Sequence, residues 1–98
     1  MRFYSREELI ELASIDAVFL VALESEEIVL YDAPEPERFS ERMLERARVA
    51  HELVEELDVN LAGAGIILRM REELSGLRRD LQDVAAELRR LRGPRRSP

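Results

Sequence analysis

The chain has 98 residues, a net charge of −6 and no cysteine, which bounds it to one small domain with at most an appended helix and excludes a disulfide framework or thiolate metal site. Its opening, Met-Arg-Phe-Tyr-Ser-Arg-Glu-Glu, lacks the apolar stretch of a signal peptide, and no apolar run approaches a membrane span, so a cytoplasmic protein without a membrane partner is expected. The charge is uneven: residues 1–60 hold 16 acids and 6 arginines, net −10, whereas residues 61–98 hold 5 acids and 9 arginines, net +4.

Ser5-x-x-Glu8 is a capping box, which predicts that a first helix starts at Ser5. Leu9, Ile10, Leu12 and Ala13 supply its apolar stripe. Ser14-Ile15 forms a turn, and Asp16 caps a second helix that ends near Ser25. Helix, tight turn, helix is the outcome. Glu27-Ile-Val-Leu-Tyr31 is β-branched and aromatic, which predicts a strand. Ala33-Pro-Glu-Pro-Glu37 then makes a wing tip, with Arg38-Phe39 returning as a second short strand.

Ser40 caps a third helix over about residues 41–57, with Met43, Leu44, Ala47, Ala50, Leu53, Val54 and Leu57 at helical period. Asp58-Val-Asn60 breaks it, and Asn60 caps the last helix. Near that start, Ala62-Gly-Ala-Gly65 places small residues on successive turns. Each glycine costs a helix about 1 kcal/mol against alanine, and the return is close approach of another element.

The last helix has the clearest periodicity. Ile67, Met70, Leu74, Leu77, Leu81, Val84, Leu88 and Leu91 are spaced alternately three and four apart, an unbroken a/d heptad seam with Ile67, Leu74, Leu81 and Leu88 at a. The other helices are too short to cover it, which predicts self-association. The g positions are Glu73, Asp80 and Glu87, and the e positions Arg71, Arg78, Ala85 and Arg92. That charge pattern leans towards a parallel pair, but exposed pairs contribute only about 0.2–1 kcal/mol, and both orientations stay open. The tail from Gly93 to Pro98 is expected to be disordered.

A second helix that reads DNA needs basic or polar side chains for phosphates and base edges. This one carries Val18, Phe19, Leu20, Val21, Ala22 and Leu23, with acids at both ends. The half of the chain that holds it is net negative, which opposes phosphate binding. Leu20 and Leu23 are expected in the core, and Phe19 fits either the core or the surface.

The order of these elements resembles the MerR-type fold, and within it the small CbpM-like chaperone modulators. The segments that carry the resemblance are Tyr4-Ser-Arg-Glu-Glu-Leu9, Arg38-Phe39, Arg48-Val-Ala-His-Glu-Leu53, and Asp58-Val-Asn-Leu-Ala-Gly63 continuing through Ala64-Gly-Ile-Ile-Leu-Arg-Met70. It spans about residues 3–92. The resemblance implies a mainly α fold: a winged helix-turn-helix domain over residues 1–58 with a two-stranded wing, then a dimerisation helix over residues 59–92. It also implies a cytoplasmic dimer that binds and restrains the J-domain of a DnaJ-type (CbpA-like) co-chaperone, and MerR-type dimers usually cross their last helices antiparallel. The basic or aromatic positions of a DNA-reading MerR helix fall on Val18, Val21 and Ala22, none of them basic.

J-domains, on the same resemblance, present a basic helix beside a His-Pro-Asp loop. An apolar centre at Val18, Val21 and Ala22, bordered by Glu24, Glu26 and Glu27, complements such a surface. Those six residues are the expected partner site, and the eight seam residues the expected dimer site. The alternative is a MerR-type transcriptional regulator that touches DNA through Arg2, Arg6, Arg38, Arg42 or the tail arginines of the partner chain. A coiled-coil adaptor is a third reading. No enzyme, cofactor or metal is expected. The adjacent acids Glu7-Glu8, Glu26-Glu27, Glu55-Glu56 and Glu72-Glu73 do not face each other on a helix. His51, the one histidine, lacks further ligands, and Gly63-x-Gly65 follows no strand.

Overall fold

In a computed structural model, which describes residues 1–93, side-chain caps start the helices at the predicted positions. The elements run β1 (Phe3–Tyr4), α1 (Arg6–Ala13), α2 (Ala17–Ser25), β2 (Phe39–Ser40), α3 (Glu41–Leu57) and α4 (Leu61–Arg92). The Ser5 hydroxyl accepts from the Glu8 amide at 3.2 Å, and the Glu8 carboxylate accepts from the Ser5 amide at 3.0 Å, a complete capping box for α1. Asp16 accepts from the Phe19 amide at 2.7 Å to start α2, and Ser40 accepts from the Met43 amide at 3.4 Å to start α3. Asn60 accepts from the Gly63 amide at 2.7 Å at the start of α4.

The α1–α2 turn is tight because one residue ends the first helix and the next but one caps the second. Ser14 is left-handed at φ 57°. That conformation lets the Ser14 amide donate to the Glu11 carbonyl and the Ile15 amide to the Ile10 carbonyl, which satisfies the last carbonyls of α1.

Met1–Leu68 form one compact unit, and the described residues from Arg69 to Gly93 belong to a second. The first unit therefore includes the opening turns of α4. Ala64 and Leu68 are buried in its core, and a Cβ on Gly65 would stand 3.2 Å from Ile28 Cγ1. The small-residue stretch permits that approach. Phe39, fully buried on β2, joins Leu9 of α1, Leu20 and Leu23 of α2, and Leu44 and Ala47 of α3 in the same core.

The wing is where the structure departs from the sequence reading. The two-stranded antiparallel sheet exists, but it pairs Phe3 with Ser40 and Tyr4 with Phe39. Residues 27–31 form no strand. Ile28 and Val29 are both buried, which a half-exposed strand with alternating faces does not allow. Their backbone groups are also taken: both amides donate to the Leu23 carbonyl at the end of α2, and the Ile28 carbonyl accepts from Arg46 Nη1 at 2.6 Å. Glu27, left-handed at φ 58°, turns the chain into this plug.

Residues 30–38 return as a loop, fastened by Asp32, whose carboxylate accepts from both the amide and the hydroxyl of Ser40 at 2.7 and 2.5 Å. Two stripe residues also fall outside the core. Leu12 is exposed because α1 is two turns long and buries only the Leu9–Ala13 face. Leu57 is exposed because it ends α3 beyond Leu53 and Val54, the last residues of that helix packed on the core. The expected tail beyond Gly93 lies outside the described residues.

Candidate partner-binding surface

On α2 the residues divide by helical face. Leu20 and Leu23 are fully buried, while Val18 is 79 % and Val21 53 % exposed. Ala22 is half-buried, one turn from Val18. The helix thus presents a short outward apolar strip with no basic side chain in it. Leu30 and Tyr31, in the loop after α2, add further exposed apolar surface.

The acidic border is less uniform than its sequence suggests. Glu24 is half-buried and forms an ion pair with Arg6 at 2.7 Å, and the same guanidinium donates to the Tyr31 hydroxyl at 3.3 Å. These hydrogen bonds, that to Glu24 first, hold the Arg6 pKa above its usual value. The charge of Glu24 is therefore largely used inside the fold. Glu26 and Glu27 are exposed at the C-terminal end of α2 and carry the free part of the border.

The arginines of the N-terminal half are engaged in the same way. Arg2 faces Glu8 at 3.7 Å, and Arg38 faces Glu8 at 3.4 Å and Glu35 at 4.0 Å. With Arg6 on Glu24, the arginines at 2, 6 and 38 all sit on carboxylates. Arg38 and Arg6 border a shallow depression beside Ser5 and Tyr31. The Ser5 end of α1 offers no vacancy to an anion, because Glu8 occupies it. The backbone and hydroxyl hydrogen bonds of Ser5 lower the Glu8 pKa, with Arg2 and Arg38 adding to the effect.

A second feature lies between the α1–α2 turn and α3. An open groove of about 450 Å³ is lined by Ile15, Val18, Phe19 and Ala22 on one side and by His51 and Glu55 on the other. The His51 imidazole meets Phe19 edge-to-face, with centroids 5.3 Å apart and planes at 87°. Two expected partner residues, Val18 and Ala22, thus share a groove with His51. The period of α3 could not reveal this neighbour, because it depends on how α2 crosses α3. Among the described residues no three His, Cys, Asp or Glu side chains are placed to hold a metal ion together.

The α4 seam is exposed along its whole length in the single chain. Met70, Leu74, Leu77, Leu81, Val84, Leu88 and Leu91 are each more than half exposed, and Ile67 is 39 % exposed. Of the flanking charges, Glu87 is already paired with Arg90 on its own helix. No described helix is long and apolar enough to cross a membrane. Comparison with protein-family models, curated proteins and solved structures finds no match to this chain.

Proposed function

We propose that this chain is a non-enzymatic, cytoplasmic regulatory protein of the MerR-type winged helix-turn-helix class, closest to its CbpM-like branch. In this reading it binds the J-domain of a DnaJ-type co-chaperone and restrains it, acting as a homodimer joined by the α4 seam. The observation that carries the proposal is the outward face of α2. Val18 and Val21 are exposed there, Glu26 and Glu27 border them, and no basic group is present. Such a surface buries well against an apolar patch rimmed by cations and repels a polyanion.

The test is binding kinetics of the full chain against the isolated J-domain at low and high salt. Val21→Asp places an unpaired charge in the dry centre and is expected to cost on the order of 2 kcal/mol, expressed in the off-rate. Glu26→Lys with Glu27→Lys is expected to slow association and flatten its salt dependence. Parental affinity in both variants, with helix content intact, sinks the α2 assignment. The second reading, a DNA-binding regulator, draws on the tight α1–α2 turn. It gains ground if the chain protects a defined duplex sequence.

A further inference from the structure

We propose that the groove between the α1–α2 turn and α3 receives one cationic side chain, an arginine or lysine, from a basic helix of the protein partner. The proposal rests on reading the α2 face as a partner surface, and it names the contact that would give that surface its selectivity.

The floor of the groove is apolar. Ile15 is almost fully buried, and Phe19 and Ala22 are half-buried. Val18, 79 % exposed, forms its lip. The polar side chains are two carboxylates, one imidazole and the hydroxyl of Ser14, and only the carboxylates carry negative charge. Asp16 stands at the N-terminus of α2 and Glu55 on α3, one helical turn past His51. Asp16 spends Oδ1 on the Phe19 amide, which leaves its other oxygen for an incoming donor.

Two acids at the far ends of α1 and α2 are neutralised within the fold: Glu8 by Arg2 and Arg38, Glu24 by Arg6. Asp16 and Glu55 form no ion pair among the described residues. Arg48, the arginine nearest in sequence on α3, directs its Nε to the Leu12 carbonyl at 3.4 Å. Glu52 and Glu56, both exposed, add negative charge on the same helix.

An apolar floor with a carboxylate rim selects one kind of side chain. Arginine and lysine combine a long aliphatic stem with a charged head, and the two ends want different surroundings. The stem would lie on Val18, Ala22 and Phe19 while the head reaches the carboxylates. A purely apolar side chain would cover the floor but strip water from two carboxylates without replacing it. An acidic side chain would be repelled.

His51 supplies a direct readout. It is the chain's one histidine, so its ring protons give isolated NMR signals, and its contact with Phe19 places them at the groove. The full chain is titrated with three probes: the isolated J-domain of a DnaJ-type co-chaperone, a synthetic amphipathic helix bearing arginine and leucine, and the same helix with citrulline for arginine. Citrulline keeps the shape and removes the charge. Asp16→Asn with Glu55→Gln is the matching change in the protein. Asparagine still caps a helix, so α2 is retained, and Glu55 is exposed.

The expected result is that the J-domain and the arginine helix both shift the His51 signals. Affinity then falls about tenfold or more with citrulline or with the double variant, the scale of a lost charged hydrogen bond. If the J-domain binds but His51 is unmoved and the double variant binds as the parent does, the groove proposal is overturned and the α2 reading survives. If the J-domain does not bind while the arginine helix shifts His51 in a charge-dependent way, the groove stands and the J-domain reading falls. No response to either probe overturns both.

Discussion

Replacing Leu77 and Leu81 by Asp attacks the middle of the α4 seam. In the single chain these residues are 57 % and 63 % exposed, so the surface a partner helix would cover is open to water. Fully burying a leucine yields about 1.5–3 kcal/mol, so covering the exposed half of each seam residue yields about 1 kcal/mol. Eight such residues on each of two chains amount to roughly 16 kcal/mol gross, set against an association cost of about 4–15 kcal/mol. The surplus, about 1–12 kcal/mol, brackets the roughly 8 kcal/mol of a micromolar dimer. The double variant removes about 4 kcal/mol of burial across two chains. It also puts four carboxylates into the seam, each costing several kcal/mol unless it stays solvated. No surplus remains. Sedimentation equilibrium over a hundredfold concentration range should show a dimer for the parent and a monomer for the variant, with helix content retained within residues 1–68. A variant that remains dimeric, or a parent that stays monomeric at the highest concentration, refutes the seam argument.

Three further outcomes are expected. Random or genomic duplex DNA at moderate salt should show no micromolar binding by fluorescence anisotropy, because Arg2, Arg6 and Arg38 already face carboxylates; a sequence-selective footprint would reverse this. Phe39→Ala removes a fully buried ring that also stacks on Tyr31 at 4.6 Å, and should cost about 3–5 kcal/mol in urea unfolding; a loss under 1 kcal/mol would mean that the core re-forms around the gap, at odds with the usual cavity cost. Glu8 has a folded pKa below its ordinary value of 4.5, so its stabilising effect is complete above that value and is lost as pH falls through the lower, folded one. Glu8→Gln keeps a capping box but not the charge, and should flatten the decline of melting temperature below pH 4.5 relative to the parent; an unchanged slope would place the acid sensitivity elsewhere.

How far the sequence reached depends on the range of the interaction that decides each feature. The starts of the four described helices were legible because Ser5, Asp16, Ser40 and Asn60 bond amides within three residues of themselves. The seam was legible for the same reason: a 3.5-residue repeat needs no knowledge of the rest of the chain. The exposed α2 strip was half legible, since helical geometry separates Val18 and Val21 from Leu20 and Leu23 once one face is known to be buried.

The tertiary structure decided the remainder. Glu27 to Tyr31 has the residues of a strand, but Ile28 and Val29 gain more by plugging the core beneath Gly65, where the Leu23 carbonyl and Arg46 satisfy their backbone groups. Tyr4 and Phe39 lie 35 residues apart and pair across the sheet without any local signal. Glu24 reads as a border charge until Arg6, two helices of sequence away, closes on it. The groove has the same origin. Asp16, Phe19, His51 and Glu55 become neighbours only because α3 packs against the α1–α2 turn, a contact between segments more than thirty residues apart that no local periodicity encodes.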